Sequence, residues 1–247
     1  MYKFFVSNNQ IKDKKIAIIG EDVNHIKNVL RLNIDEKIII CNKDTAKSYI
    51  ASISNISKEE IICSIIEENS STTESTVNID LFQGLPKSDK MEYIIQKTTE
   101  LGVKHIYPVA LERCVVKIDK KDESKKILRW QKIAESAAKQ SKRDFIPTVE
   151  NIINLENICK NISKYDIILL AYENEESNTI KQELQKIDKR ENTNIGVVIG
   201  PEGGFTEKEV DALMSAGAKC VTLGKRILRT ETAPIVMLSD IVYEFEL

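Results

Sequence analysis

Residues 195–210, IGVVIGPEGGFTEKEV, combine a β-type strand, a glycine-rich turn and the start of a helix. The strand is predicted to end at Gly200, and Thr206 with Glu209 forms a capping box for the helix that follows. In open parallel sheets, ligands bind outside the carboxyl ends of the strands, where glycine lets the backbone approach them closely. The turn lacks the GK[ST] of a Walker A loop and the GxGxxG of dinucleotide sites, so a ligand site and a plain turn both remain open.

A second polar loop follows the next predicted strand, within residues 221–238, VTLGKRILRTETAPIVML. Helix capping by Thr230 or Thr232, with Pro234 in the first turn, explains the threonines but not the cations around them. Because both loops follow strands of one predicted sheet, they can form a single pocket. The loop gathers cations, a carboxylate and hydroxyls at Lys225, Arg226, Arg229, Thr230, Glu231 and Thr232.

Other reactive residue types are few. The five cysteines are widely spaced with no CxxC pair, and the two histidines, His25 and His105, lie in different regions. This pattern argues against a disulfide framework, a metal site and a His-dependent nucleophilic triad. The chain has no apolar run of the roughly 20 residues that span a bilayer, and its start, MYKFFVSNNQ, is unlike a signal peptide. We therefore expect a soluble cytoplasmic protein.

Charge is unevenly distributed along the chain, although the net charge is only -2. Residues 84–148 carry 15 Lys and Arg against 9 Asp and Glu, whereas residues 149–247 carry 11 against 17. A basic segment attracts a polyanion locally, because screening limits attraction to charges within about 10 Å. A solvated lysine-rich surface is the alternative interpretation of the same segment.

The elements that position these residues indicate an α/β protein with two domains. The polar stretch 68–76, ENSSTTEST, predicts a linker with a boundary near residue 72. Before it, β-branched runs predict a small β module with strands at 16–19, 37–41, 49–53 and 60–66 and one helix at 22–30. After it, strands at 77–83, 106–110, 166–171, 195–199 and 220–223 alternate with helices at 88–101, 124–142, 177–187, 207–216 and 233–243. Such alternation predicts a parallel sheet covered on both faces.

Taken together, the motifs resemble those of the RsmE-type 16S rRNA uridine N3-methyltransferases of the SPOUT superfamily. The resemblance covers nearly the whole chain and is most specific in GPEGGF (200–205) and LGKRILRTETA (223–233). It also includes HIKNVLRL (25–32), LPKSDKMEYIIQKTTELGV (85–103), ERCVVK (112–117) and RWQKIAESAAKQSKRDFIPTV (129–149).

The resemblance implies a PUA-like β-barrel that binds RNA at residues 1–72 and a SPOUT methyltransferase domain with a deep trefoil knot at 73–247, paired as a homodimer. It implies S-adenosylmethionine as cofactor and methylation of N3 of uracil 1498 in 16S rRNA, near the decoding centre, with the small ribosomal subunit as partner. A wall near Ala171 and the two loops are expected to hold the cofactor, through Leu170, Ile199, Gly200, Pro201, Glu202, Gly203, Gly204, Leu223, Gly224, Ile227, Leu228, Arg229, Thr232 and Ala233.

Methylation at N3 requires loss of a proton and stabilisation of charge on the uracil oxygens, for which the donor fork of arginine is suited. Arg229 is the first choice for that role and Arg143 the second. Glu231 or Glu135 could accept the proton, although helix capping and surface pairing explain these carboxylates equally well.

The basic segment and the first domain supply the expected RNA contacts. The predicted helix 124–142 brings Arg129, Lys132, Glu135 and Lys139 near one another on one face. The RNA-binding set is His25, Arg31, Lys87, Lys90, Arg129, Lys139, Gln140 and Arg143. Two other functions remain open: a SPOUT enzyme that modifies a different rRNA or tRNA position, and an RNA-binding protein without catalytic activity.

Overall fold

The chain divides into two compact units in the computed structural model, which describes residues 1–70, 73–188 and 192–246. The first unit comprises Met1–Glu74 and Lys139–Ile146, and the second comprises Ser75–Ala138 and Pro147–Leu247. The boundary predicted at residue 72 lies outside the described residues. The sequence predicts residues 139–146 to lie in the second domain, whereas the structure assigns this segment to the first unit.

The first unit is built on a six-stranded sheet in the order β1-β4-β5-β6-β3-β2. β1 pairs with β4 in parallel and the other neighbours are antiparallel. Alternate residues of β3 and β4 are buried, so Ile16, Ile18, Ile38 and Ile40 form one apolar core. The strands are β1 (Lys3–Val6), β2 (Ile11–Lys12), β3 (Lys15–Ile19), β4 (Lys37–Asn42), β5 (Ser48–Ile56) and β6 (Glu60–Glu68).

The helix predicted at 22–30 is found in a modified form. It consists of a short α-helix, α1 (Glu21–Asn24), followed by a π-helical turn at His25–Val29. Val23 and Ile26 from these turns are buried against the sheet core. Val29, which the same apolar spacing places on that face, is 64% exposed, so the spacing identified the packed face only in part and did not indicate the local widening of the helix.

Electrostatic contacts explain why residues 139–146 belong to the first unit. The Glu74 carboxylate accepts hydrogen bonds from the backbone of Asp144 at 2.8 Å and of Phe145 at 3.1 Å, and from the Arg143 guanidinium. The Lys3 ammonium lies 2.7 Å from the Asp144 carboxylate, and both side chains are buried. These partners lie far away along the sequence, so no local pattern could reveal them.

The second unit has a seven-stranded parallel sheet with the path β10-β8-β7-β12-β11-β13, and β9 pairs with β8. Its strands are β7 (Val77–Gly84), β8 (Val103–Ala110), β9 (Thr148–Val149), β10 (Ile153–Asn154), β11 (Ile167–Ala171), β12 (Thr193–Ile199) and β13 (Lys219–Val221). Its helices are α2 (Lys90–Glu100), α3 (Lys120–Gln140), α4 (Leu155–Asn161), α5 (Ile180–Leu184), α6 (Glu207–Ala216) and α7 (Ala233–Glu246). No sequence pattern predicts β9, β10 or α4.

Both faces of this sheet are covered, as predicted. Along β12, Val197 and Ile199 belong to one core and Val198 belongs to the other. The first core includes apolar residues of α2, α3, α5 and α7, and the second includes residues of α4 and α6. Because the strands are parallel, β11, β12 and β13 all end at the same edge of the sheet.

Candidate active site

A cavity of about 460 Å³ lies at the carboxyl ends of β11, β12 and β13 in the second unit. Its walls come from the residues that follow each of these strands and from the start of α2 and α7. The lining residues are Lys90, Ala171, Tyr172, Glu173, Ile199, Gly200, Pro201, Glu202, Gly204, Phe205, Thr222, Leu223, Gly224, Lys225, Arg226, Ile227, Leu228, Arg229, Thr230 and Ala233. The two loops predicted to form one pocket therefore do so.

The glycine-rich loop between β12 and α6 turns tightly. The backbone N–H of Gly204 donates a 2.9 Å hydrogen bond to the carbonyl of Pro201, and Gly204 has a φ of 66°. A Cβ atom at this position would displace the carboxylate of Glu173, which is the end of an exposed, flexible side chain, so the backbone conformation is what favours glycine there. The predicted capping box begins α6: Thr206 Oγ1 accepts from the Glu209 N–H, and Glu209 Oε2 accepts from the Thr206 N–H.

Packing within the protein is tight beside Gly200 and Gly203. A Cβ at Gly200 would lie 3.0 Å from the ring of Phe205, and one at Gly203 would lie 3.0 Å from Cβ of Arg113. The Arg113 guanidinium also donates a 3.0 Å hydrogen bond to the Gly203 carbonyl. Gly203 is exposed beside Arg113 and is not among the residues that line the cavity.

Thr230 connects the second loop to the first. Its buried hydroxyl donates a 2.7 Å hydrogen bond to the Gly200 carbonyl and accepts one of 3.0 Å from the side-chain amide of Gln83 in β7. The hydroxyl therefore spans the cavity-lining loops instead of serving only as a helix cap. These two hydrogen bonds explain why a residue with a hydroxyl group, Thr230, stands at this position of LRTETA.

Lys90 lies between two carboxylates of the cavity region. Its ammonium is 3.0 Å from Glu202 Oε1 and 3.0 Å from Glu231 Oε2. Contact with Glu202 and with Glu231 raises the pKa of Lys90. Burial by itself raises the pKa of both carboxyls, but contact with the Lys90 ammonium and hydrogen bonds from backbone N–H groups outweigh it, so each pKa lies below its ordinary value.

Arg229 is the exposed end of a charged group that also contains Glu202, Lys90 and Glu231. Its guanidinium lies 3.9 Å from Glu231 Oε1, and 82% of its side chain is exposed at the cavity. Glu231 is therefore placed between Lys90 and Arg229. With two cations beside it and a lowered pKa, Glu231 is a weak proton acceptor.

Known proteins resemble this chain over its whole length. Residues 73–242 match an RNA methyltransferase domain and residues 18–66 match an RNA methyltransferase PUA domain. Ribosomal RNA small subunit methyltransferase E of Bacillus subtilis is 37% identical, with 100% of this chain and 98% of that protein aligned. The chain belongs to the ribosomal RNA small subunit methyltransferase E family.

Two solved structures extend this similarity to the fold. The methyltransferase E of Neisseria gonorrhoeae, solved with bound S-adenosylmethionine, has a TM-score of 0.84 at 33% identity and covers 98% of this chain and 97% of its own. A Legionella pneumophila protein, also solved with S-adenosylmethionine, has a TM-score of 0.82 at 30% identity and covers 98% of this chain and 96% of its own. The first unit of this methyltransferase E family member contains the residues that match a PUA domain, and the second contains most of those that match the RNA methyltransferase domain.

Most residues that the family resemblance assigned to the cofactor line the cavity. Three do not: Leu170 is fully buried within β11, Gly203 is exposed beside Arg113, and Thr232 lies in the turn before α7, where its carbonyl accepts from the Val236 N–H. The residues that do are Ile199, Gly200, Pro201, Glu202, Gly204, Leu223, Gly224, Ile227, Leu228, Arg229 and Ala233.

The structure also adds cavity residues that the sequence analysis did not assign to the cofactor site. Tyr172 and Glu173 follow β11 directly, and Phe205 follows the last glycine of the first loop. The signal that could have found Tyr172 and Glu173 is the end of the strand predicted at 166–171, once β11 is known to lie between β12 and β13. The other additions are Lys90, Thr222, Lys225, Arg226 and Thr230.

Arg143 requires a correction. It was predicted as a second catalytic candidate and an RNA contact, but it is only 5% exposed, lies in the first unit and pairs with Glu74. Lys139, also predicted to contact RNA, forms a 3.0 Å ion pair with Asp22 in the same unit. Arg129 and Lys139 both lie on α3, and their contacts with RNA stay predictions.

The other predicted RNA residues have varied surroundings. The Arg129 guanidinium pairs with Glu92 at 2.7 Å but remains 66% exposed. Lys87 is exposed, and its backbone N–H donates to Glu202. His25 is an exposed residue of the π-helical turn whose ring lies 6.2 Å from that of Phe4. Arg31 and Gln140 are exposed, and Glu135 is half-buried outside the cavity lining.

Among the described residues there is no group of three or more His, Cys, Asp or Glu side chains that could hold a metal ion. Within the same residues, no helix is both long and apolar enough to cross a membrane.

Proposed function

We propose that this protein transfers the methyl group of S-adenosylmethionine to N3 of uracil 1498 in 16S rRNA, acting in the cytoplasm on RNA of the small ribosomal subunit. The observation that carries the proposal is the cavity formed by the GPEGGF and LGKRILRTETA loops in a chain that matches methyltransferase E proteins from end to end. The two similar structures that were solved with S-adenosylmethionine support the same cofactor here.

The cavity residues fit this cofactor in size and chemistry. A volume of about 460 Å³ lies within the range of small-molecule sites. Apolar walls from Ile199, Leu223 and Leu228 suit an adenine ring, and the backbone of Gly200 and Gly224 offers polar groups beside them. When bound, the cofactor supplies an already activated methyl group, so the protein chiefly has to position the two reactants.

The charged residues of the site would act on the uracil. We assign Arg229 to donate hydrogen bonds to the uracil oxygens as negative charge develops on them. Glu231 would orient Arg229, since its carboxylate is already neutralised by Lys90 and is poorly suited to take the N3 proton. In this proposal Glu231 does not accept the N3 proton.

The exposed cations of the second unit would contact the RNA backbone. Lys225 and Arg226 are exposed at the cavity, and Arg129 is exposed on α3. Lysine and arginine side chains that bind phosphates release counterions from the RNA, so RNA binding depends on salt concentration.

Membership of the methyltransferase E family also supports a deep trefoil knot in the second unit and a homodimer as parts of the proposal.

Mass spectrometry of 16S rRNA from a strain that lacks the gene tests the proposal. We expect the N3-methyl group to be missing from uracil 1498 and to return when the gene is restored. A methyl group lost from another rRNA or tRNA position would favour a related enzyme with a different target. An unchanged methylation pattern, together with no S-adenosylmethionine binding in calorimetry, would favour an RNA-binding protein without activity.

A further inference from the structure

Lys90 occupies a position where a cation is unfavourable. It is the first residue of α2, an 11-residue helix. The unpaired N–H groups at the start of a helix carry partial positive charge, which favours acidic residues and disfavours lysine. A lysine at this position therefore needs compensation from other parts of the fold.

Two carboxylates from different loops provide that compensation. The Lys90 ammonium lies 3.0 Å from Glu202 in the glycine-rich loop and 3.0 Å from Glu231 in the loop before α7. The three side chains are 30%, 26% and 18% exposed, so solvent only partly screens their attraction. The backbone N–H of Lys87 donates to Glu202 at 3.1 Å and holds that carboxylate from a second side.

The charges form a continuous series from the helix to the cavity mouth. Glu202 contacts Lys90, Lys90 contacts Glu231, and Glu231 lies 3.9 Å from the Arg229 guanidinium. Two cations and two anions balance in this group. Without Lys90, the two carboxylates would lose the cation between them, and their mutual repulsion would move Glu231 away from its present place.

We propose that Lys90 is a positioning residue of the methyl-transfer site, which joins the two cavity loops and, through Glu231, holds Arg229 at the cavity mouth. This inference rests on the proposed function. It replaces the expectation that Lys90 contacts RNA phosphates, because two carboxylates lie 3.0 Å from its ammonium and balance its charge. The raised pKa of Lys90 and the lowered pKa values of Glu202 and Glu231 agree with this arrangement.

The test compares Lys90→Met with Lys97→Met, a control on the same helix that removes only a surface ion pair with Glu100. We expect Lys90→Met to lower the single-turnover methylation rate about tenfold or more, and Lys97→Met to leave it unchanged. The slope of log RNA affinity against log salt should be the same for wild type and Lys90→Met, because no phosphate contact is lost. A shallower slope for Lys90→Met, or a methylation rate equal to that of Lys97→Met, would overturn the inference.

A double-mutant cycle with Glu231→Gln tests whether Lys90 acts through Glu231. If it does, Lys90→Met combined with Glu231→Gln should be no slower than Lys90→Met alone, and Lys90→Arg should recover part of the rate. If the rate losses caused by Lys90→Met and by Glu231→Gln multiply in the double variant, the two residues act independently and the inference is overturned. Circular dichroism establishes that each variant is folded, and if Lys90→Met does not fold, Lys90→Arg and Glu231→Gln are compared in the same way.

Failure of this inference can be told apart from failure of the proposed function. If wild-type protein neither binds S-adenosylmethionine nor methylates 16S rRNA, the proposed function is wrong and Lys90 has no methyl-transfer site to position. If wild type does both and Lys90→Met behaves as the Lys97→Met control does, only the role of Lys90 is wrong.

Discussion

The Thr230 hydroxyl donates a 2.7 Å hydrogen bond to the carbonyl oxygen of Gly200, thirty positions earlier in the chain. This one contact joins the loop that follows β13 to the loop that follows β12. Because both loops line the cavity, the bond couples the stability of the fold to the shape of the site.

Replacing Thr230 by Val should therefore weaken both folding and cofactor binding. The change keeps the side-chain volume but leaves the Gly200 carbonyl and the Gln83 amide without this partner. Loss of a buried hydrogen-bond partner costs about 1–3 kcal/mol. Urea unfolding and calorimetry with S-adenosylmethionine measure the two effects. Thr230→Ser, which keeps the hydroxyl, is the control, and equal behaviour of the two variants would show that the hydrogen bond is unimportant.

Gly204→Ala should disturb the cavity through contact with Glu173. The new methyl group would collide with the Glu173 carboxylate, and alanine would also have to adopt a φ of 66°. The backbone cost is about 1–2 kcal/mol, and the collision adds little to it, because the exposed Glu173 side chain can move away. Adding Glu173→Ala should therefore recover little of the lost unfolding free energy. Full recovery in the double variant would contradict this explanation of Gly204.

Arg143→Met should destabilise the first unit. Arg143 is buried and pairs with Glu74, so its removal leaves a carboxylate without its cation. We expect a loss of about 3 kcal/mol in the free energy of unfolding. Arg129→Met, which removes an exposed ion pair, should cost about 0.5 kcal/mol. If Arg143→Met unfolds as wild type does but methylates far more slowly, the chemical role predicted from the sequence would be restored.

Acid should weaken the first unit through Asp144. Burial raises the pKa of this carboxyl, but hydrogen bonds from Lys3 and from the Thr73 backbone N–H outweigh it, and the pKa lies below its ordinary value of 3.8. A lowered native pKa stabilises the fold above the unfolded-state value, and that stabilisation is lost as the pH falls through the native pKa. The difference in unfolding free energy between wild type and Asp144→Asn should be largest near neutral pH and shrink below about pH 4. A difference independent of pH would contradict the role of this ion pair.

Local sequence signals were sufficient to predict the loop between β12 and α6. The strand before Gly200 and the Thr206–Glu209 capping box depend on neighbouring residues, and both are found. The tight packing beside Gly200 and Gly203 was not predictable, because Phe205 and Arg113 lie next to these glycines only in the folded protein.

Contacts between residues distant in sequence account for the main differences between the sequence-based predictions and the structure. Arg143 was read as the end of a basic helix, but its partner Glu74 lies 69 positions away. Lys90 was read as a phosphate contact because its two carboxylate partners come from loops more than a hundred residues later. Positions 139–146 illustrate the same limit, since a charged segment can be buried wherever the fold supplies opposite charges.

The most direct test of the proposed activity is transfer of a labelled methyl group from S-adenosylmethionine to unmethylated 16S rRNA under single-turnover conditions, with the product located by mass spectrometry. We predict one methyl group at N3 of uracil 1498 for wild type. Arg229→Lys should bind the cofactor as wild type does but transfer the methyl group roughly 100 to 1000 times more slowly, because a point charge cannot reproduce two directed hydrogen bonds. A methyl group on another atom, or no transfer by wild-type protein, would contradict the proposed function.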